Sequence, residues 1–223
     1  MNAVDQIALS MGAAWGSGIN LYATILVLGY MGMTGQVQLP PELMVLSNPL
    51  VIGAAGLMYA VEFFADKTPG VDTAWDAIHT FIRIPAGALL ASAALTDMGP
   101  AAELAGMLVG GGLAAATHAT KAGSRVIINT SPEPFTNWTA SVGEDVVVIA
   151  GVWASLQHPW WFLGVLVLFI LLMIWLLPRI WRALKWVFYK LGKLFGRKAP
   201  EPPPINSLQL PGLNKSHDST TGK

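Results

Sequence analysis

The sequence predicts an all-α, polytopic helical membrane protein with about six spans, a first helix open to interruption, and two polar segments broken by proline. Three observations carry that prediction. Of 223 residues, 53% are hydrophobic and only 12% charged, with a mean hydropathy of +0.53; soluble domains carry roughly 25% charged residues. The apolar residues fall in runs of bilayer length. The charges are segregated: residues 1–178 hold four Lys/Arg against eleven Asp/Glu, and residues 179–223 hold nine against two. The membrane part is therefore acidic by 7 and the tail basic by 7, as expected when one end faces an anionic membrane surface. With no cysteine, a disulfide framework, a thiolate zinc site and a catalytic thiol are all excluded. The start, MNAVDQIALSMGAAWGSG, lacks the basic n-region of a cleavable signal.

The spans follow in order at 4–33, 49–66, 80–95, 102–120, 141–156 and 160–177. The last, WWFLGVLVLFILLMIWLL between Pro159 and Pro178, nearly covers a hydrocarbon core of about 30 Å, with Trp160, Trp161 and Trp175 toward its ends as in aromatic belts. The others are rich in Gly and Ala, which let helices approach closely in lipid. In the first, Gly16-Ser17-Gly18 stands for either a glycine-mediated kink or a true break, and Asn20, Tyr22 and Thr24 follow at once, as suits a cavity lining. The fourth carries MLVGGGLAAAT, whose three adjacent glycines favour a tight crossing or a kink.

Orientation follows from the cations. With six spans, the loops near 34–48, 96–101 and 157–159 contain no Lys or Arg, while the loops near 67–79 and 121–140 and the C-terminus contain Lys67, Lys121, Arg125 and all nine tail cations. The positive-inside rule then places both termini in the cytoplasm. Residues 179–198 form a basic amphipathic helix, expected to lie in the interface against anionic lipid head groups, and the Pro-rich stretch 199–223 is expected to be disordered. Residues 56–92 and 112–155 echo one another, with Lys67 matching Lys121 and Trp75 matching Trp138. Repeats with interrupted polar segments at matching places point to a transport site.

The polar segments carry the chemistry. Taken as a helix, residues 71–83 put Asp72, Trp75, Asp76, His79 and Arg83 on one stripe and Ala74, Ala77, Ile78 and Phe81 opposite. Asp72 is the expected N-cap and Pro85 the expected end. Lys121 and Arg125 are four apart and basic, followed by Glu144 and Asp145. Unpaired charges at membrane depth cost about 2.5–3.5 kcal/mol each, so cross-pairing is expected: Asp72 and Asp76 with Lys121 and Arg125, and Arg83 with Glu144 or Asp145. Glu62, Asp66 and His118 extend the site or sit in the interface. Asp72, Asp76 and His79 are also hard-ligand types on one face, a weak signal for a divalent metal. No HExxH, P-loop or GxSxG is present.

The stretches GINLYATILVLGYMG, EFFADKTPGVDTAWDAIHTFIRIPAGALLA and KAGSRVIINTSPEPFTNWTASVGED resemble a family of bacterial polytopic membrane proteins known only as a domain of unknown function, the DUF4126 type. The likeness covers about residues 18–154 and leaves out the basic helix and tail. It implies a polytopic inner-membrane protein and lends no activity.

The expected function is a small transporter or channel for an ion or small anionic solute, its site formed by Asn20, Asp72, Asp76, His79, Arg83, Lys121, Arg125, Glu144 and Asp145 between the half-repeats, with Glu144 or Asp145 as proton carrier. The alternatives are a membrane scaffold whose charges form a structural clamp and, more remotely, a metal-dependent enzyme acting on lipid. No cofactor and no nucleic-acid partner is expected; a homo-oligomer is, because six short Gly/Ala-rich spans make a thin bundle.

Overall fold

The broken first helix organises everything else. In the computed structural model, which describes residues 1–68, 70–129 and 134–194, six α-helices run as α1 (Ala3–Met33), α2 (Pro49–Ala65), α3 (Val71–Ala93), α4 (Pro100–Ile128), α5 (Pro134–Gln157) and α6 (Pro159–Leu194). Short 3-10 helices at Pro41–Ser47 and Thr96–Met98 complete the described elements, none of which is a strand. Proline opens α2, α4, α5 and α6, where its missing N–H costs nothing. Asn2 and Asp5 cap the start of α1 reciprocally, and Asn48 caps α2 through the Leu50 N–H.

Helix α1 is the axis of the bundle and touches all five other helices, while α3 and α4 pack most extensively on each other. Small residues allow this approach. A Cβ on Gly18 would lie 2.6 Å from the Ala114 carbonyl oxygen, and one on Gly87 would lie 2.6 Å from the Ala114 Cβ. One part of the core is an apolar cluster that includes Leu9, Trp15, Leu28, Val148 and Val152, and the Trp15 ring meets Phe162 and Phe169 edge-on.

The rest of the interior inverts the soluble pattern. Phe81 is 83% exposed and Leu50 82%, while Arg83 and Arg125 are both 0% exposed. Apolar side chains outside and charges inside mark a protein whose surroundings are hydrocarbon. Three helices are long and apolar enough to cross a bilayer: Ala3–Met33, Phe135–Gln157 and Pro159–Val187. Pro41–Ser47 and Pro49–Ala65, bent by 66°, qualify together as a fourth. Helices α3 and α4 are of similar length, but the charges they turn inward lower their hydropathy.

Four local expectations change. Gly16, Ser17 and Gly18 are helical; the non-helical residue of α1 is Asn20, at φ −147° and ψ 99°. Pro85 lies inside α3 rather than at its end, so the amphipathic segment and the following span are one helix. Its ring forfeits one backbone bond, a loss tolerated within membranes where neighbouring groups compensate. The cap of α3 is Gly70 at φ +87°, and Asp72 sits just inside the first turn, accepting from the Gly70 and Thr73 N–H groups. Pro178 also lies inside its helix, and α6 continues to Leu194. The expected disordered stretch 199–223 and the proline loop around Ser131-Pro132 lie outside the described residues.

Candidate functional site

Asn20 both breaks α1 and restarts it. In its extended conformation its side-chain carbonyl accepts from the Ala23 N–H at 2.9 Å, and Thr24 Oγ1 donates to its backbone carbonyl at 2.9 Å. This is an N-cap in the middle of a buried helix. Each broken end then meets a charge. Lys121 Nζ donates to the freed Ile19 carbonyl at 3.0 Å, at the negative end of the first half-helix. Asn20 Nδ2 donates to Asp145 Oδ1 at 3.0 Å, at the positive start of the second.

Around that break the helices converge their charges. Arg83 of α3 bonds Glu62 of α2 at 2.8 Å and Asp76 of its own helix at 2.7 Å. Lys121 of α4 bonds Asp66 at 2.7 Å and lies within 3.8 Å of Glu62, Asp76 and Glu144, so it sits among four carboxylates. Arg125 bonds Glu144 of α5 at 2.6 Å and is held by the side chain and backbone carbonyls of Asn137 and the Asp66 carbonyl. Glu62, Asp66, Asp76, Lys121 and both arginines are all buried. At this depth the hydrogen bonds are what make such pairs tolerable.

The pairing differs from the cross-pairing expected above. Asp76 approaches Lys121 at 3.7 Å, but its close partner is Arg83. Asp72 is held by Asn129 Nδ2 at 2.8 and 2.9 Å instead of by Lys121 or Arg125. Arg83 meets Glu62 and Asp76, not Glu144 or Asp145. The physical reason is reach: Asp76 and Arg83 are seven residues, two turns, apart on one face of α3, and Arg83 is long enough to reach back to Asp76 and across to Glu62. Of the site residues expected from sequence, Asn20, Asp76, Arg83, Lys121, Arg125, Glu144 and Asp145 meet in one buried network. Asp72 lies at its margin with Asn129.

His118 and His79 are woven into the network by hydrogen bonds. Arg83 Nη1 approaches His118 Nδ1 at 3.2 Å. A guanidinium only donates, so Nδ1 accepts and Nε2 carries the hydrogen, donating to Thr80 Oγ1 at 2.7 Å; that hydroxyl donates to the Asp76 carbonyl at 3.0 Å. His79 donates from Nδ1 to the Trp75 carbonyl at 2.9 Å, stacks on the Trp75 ring, and accepts the Tyr22 hydroxyl at 3.2 Å.

Lys67, just past α2, is the least securely paired cation. It donates to the Phe63 carbonyl at 3.1 Å and Ser141 Oγ at 3.3 Å, lies 3.0 Å from the Phe63 ring centre, and reaches Asp145 only at 3.9 Å. Burial pushes its ammonium below the ordinary lysine range, against the pull of Asp145 and Asp66. A crevice of about 290 Å³ between α4, α5 and α6, lined by Thr117, Thr120, Lys121, Ser124, Glu144 and Phe169 among others, reaches the network. Glu144, with a side chain 22% exposed, is its most open carboxylate.

A family model described as "Domain of unknown function (DUF4126)" matches residues 7–179, most of the chain. The chain belongs to the DUF4126 family. No curated protein and no solved structure matches it. The match takes in every residue of the charged network and stops at Arg179, so the basic part of α6 lies beyond the family domain.

The weak metal signal of Asp72, Asp76 and His79 does not fit this geometry. The three turn to Asn129, Arg83 and Tyr22 respectively, and among the described residues no group of three or more His, Asp or Glu is placed to hold a metal ion. Residues that sequence reasoning passed over include Asn129 and Asn137. Asn137 belongs to an N-x-T triplet that resembles a glycosylation acceptor, yet it is buried against Arg125. Its position twelve residues beyond Arg125, across a loop, left no periodic signal.

Proposed function

We propose that this DUF4126 protein is a six-span transporter or channel for an ion or small charged solute, working through the charged network at the α1 break. The observation that carries this reading is the break itself. Asn20 interrupts a buried helix midway along a candidate span, with Lys121 on one freed helix end and Asp145 at the other. Irregular backbone is tolerated at membrane depth where protein buries it or it lines a cavity, and in transporters half-helix ends supply the partial charges that hold ions. The segments that echo in sequence, α2–α3 and α4–α5, supply the two sides.

The balance of charge favours a cation or proton over an anion. Glu62, Asp66, Asp76, Glu144 and Asp145 share Lys67, Arg83, Lys121 and Arg125, so the cations already have carboxylate partners and an acid is in excess. The proposal includes a bacterial inner-membrane location with both termini cytoplasmic, a homo-oligomer, and anionic head groups against Arg179, Arg182 and Lys185. The test is purified protein in proteoliposomes with an internal pH or ion indicator. Imposed gradients are expected to drive flux, and replacing Glu144 and Asp145 together by Gln and Asn to abolish it in folded protein.

A structural clamp is the second reading, favoured by the complete burial of Arg83 and Arg125 on their acids. It expects no flux from the wild-type protein under any gradient, and loss of folded protein when a single partner is removed.

A further inference from the structure

Four of the five carboxylates in the network have a cation at bonding distance: Glu62 and Asp76 at 2.8 and 2.7 Å from Arg83, Asp66 at 2.7 Å from Lys121, and Glu144 at 2.6 Å from Arg125. Asp145 is the exception. Its nearest cation, Lys67, is at 3.9 Å, beyond hydrogen-bond reach, and directs two of its three hydrogens to Phe63 and Ser141. The Asp145 side chain is only 8% exposed, yet Oδ2 has no hydrogen-bond partner; Glu62, Asp66 and Asp76 also each leave one oxygen unbonded, but their other oxygen has a cation at bonding distance. A buried carboxylate oxygen left this way is costly as an anion and is relieved by one bound proton.

We infer that Asp145 is the exchangeable proton site of the network. The inference names the ion of the proposed transport and rests on that reading for its purpose, though not for its geometry. A proton from water forms an O–H bond at Oδ2, and on release that bond breaks and the proton returns to water. Nothing is oxidised or reduced. The groups acting on Asp145 are Asn20 of α1, Tyr59 of α2, Asp66 and Lys67 past its end, and Lys121 of α4; Glu144 precedes it on α5.

The site also reports to the backbone. Asn20 donates to Asp145 Oδ1 while its own carbonyl caps the second half of α1. An Asn–carboxylate bond is charge-assisted and stronger than one to a neutral acid, so protonation loosens the residue that defines the break. Loading Asp145 thus biases the hinge between the half-helices.

The experiment is infrared difference spectroscopy of the full chain in lipid nanodiscs, acid minus alkaline buffer, reading the C=O stretch of protonated carboxyl groups. The wild type is expected to show a band that Asp145→Asn loses and Glu144→Gln keeps. Lys67→Met is expected to hold the band into more alkaline buffer, by about 1–3 pH units, because the nearest opposite charge is gone. A wild type without the band, or a band kept in Asp145→Asn, overturns the inference. If Asp145→Asn does not fold, a midpoint unmoved by Lys67→Met overturns it instead. A protein that transports ions without this band refutes the proton site alone; one that shows the band but carries nothing in proteoliposomes refutes the transport reading alone.

Discussion

Asn20 Nδ2 and Asp145 Oδ1 meet at 3.0 Å, joining the only non-helical residue inside α1 to a buried acid of α5. The bond ties a backbone feature to a charge. Asn20→Ala removes an N-cap, worth about 0.5–2 kcal/mol, and strips a buried carboxylate of its one donor, worth about 1–3 kcal/mol. The variant is expected to lose about 2–4 kcal/mol, read as a lowered unfolding midpoint in detergent. A change within error would mean that Asn20 is not the cap of the second half-helix.

Lys121 is the cation on which most acids depend. Lys121→Met leaves Asp66, bonded at 2.7 Å, with only Arg125 near it, at 3.9 Å, and breaking a buried pair from one side costs about 3–5 kcal/mol. Adding Asp66→Asn removes the stranded charge and is expected to recover a substantial part. A double-mutant cycle on thermal stability measures the coupling; purely additive losses would show that the two do not act as a pair.

Much of this was legible in the sequence, for a physical reason. The stripe of Asp72, Asp76, His79 and Arg83 follows from helical periodicity alone, and those four, with Ser92, are the buried polar residues of α3. The choice of partners was not legible, because it depends on how far a side chain reaches and on which helices cross. Treating Pro85 as a terminator ended α3 too early, and the shared stripe did not by itself show that Arg83 reaches back to Asp76 on its own helix. Treating Gly16 and Gly18 as breakers missed their use as gaps: a Cβ on Gly16 would lie 2.5 Å from Thr24 Oγ1 and 2.9 Å from Val152. Glycine spacing reveals close approach and chain interruption alike, and only the three-dimensional neighbours separate them.

Gly18 gives a direct test of that distinction. A methyl group there would run into the Ala114 backbone carbonyl, which cannot rotate away, so Gly18→Ala must push α4 from α1 at a cost of about 1–3 kcal/mol. Gly53 of α2 has nothing within 4 Å of a built Cβ. Gly53→Ala is expected to be neutral or to raise stability by up to about 1 kcal/mol through helix propensity. Equal effects in a thermal-shift comparison would mean that α1 and α4 are not closely packed at Gly18.

The absence of cysteine makes the proposed six-span topology open to a clean accessibility test. Thr68, exposed after α2, and Met98, 43% exposed between α3 and α4, sit at opposite ends of α3. With Lys67, Lys121, Arg125 and the α6 cations on the Thr68 side, the positive-inside rule puts Thr68 in the cytoplasm and Met98 across the membrane. A membrane-impermeant maleimide applied to intact cells is expected to label Met98→Cys, and to label Thr68→Cys only after permeabilisation. The reverse pattern would invert the protein. Equal labelling of both from outside would show that α3 does not span, and would leave Asp76 and Arg83 beside the membrane rather than within it.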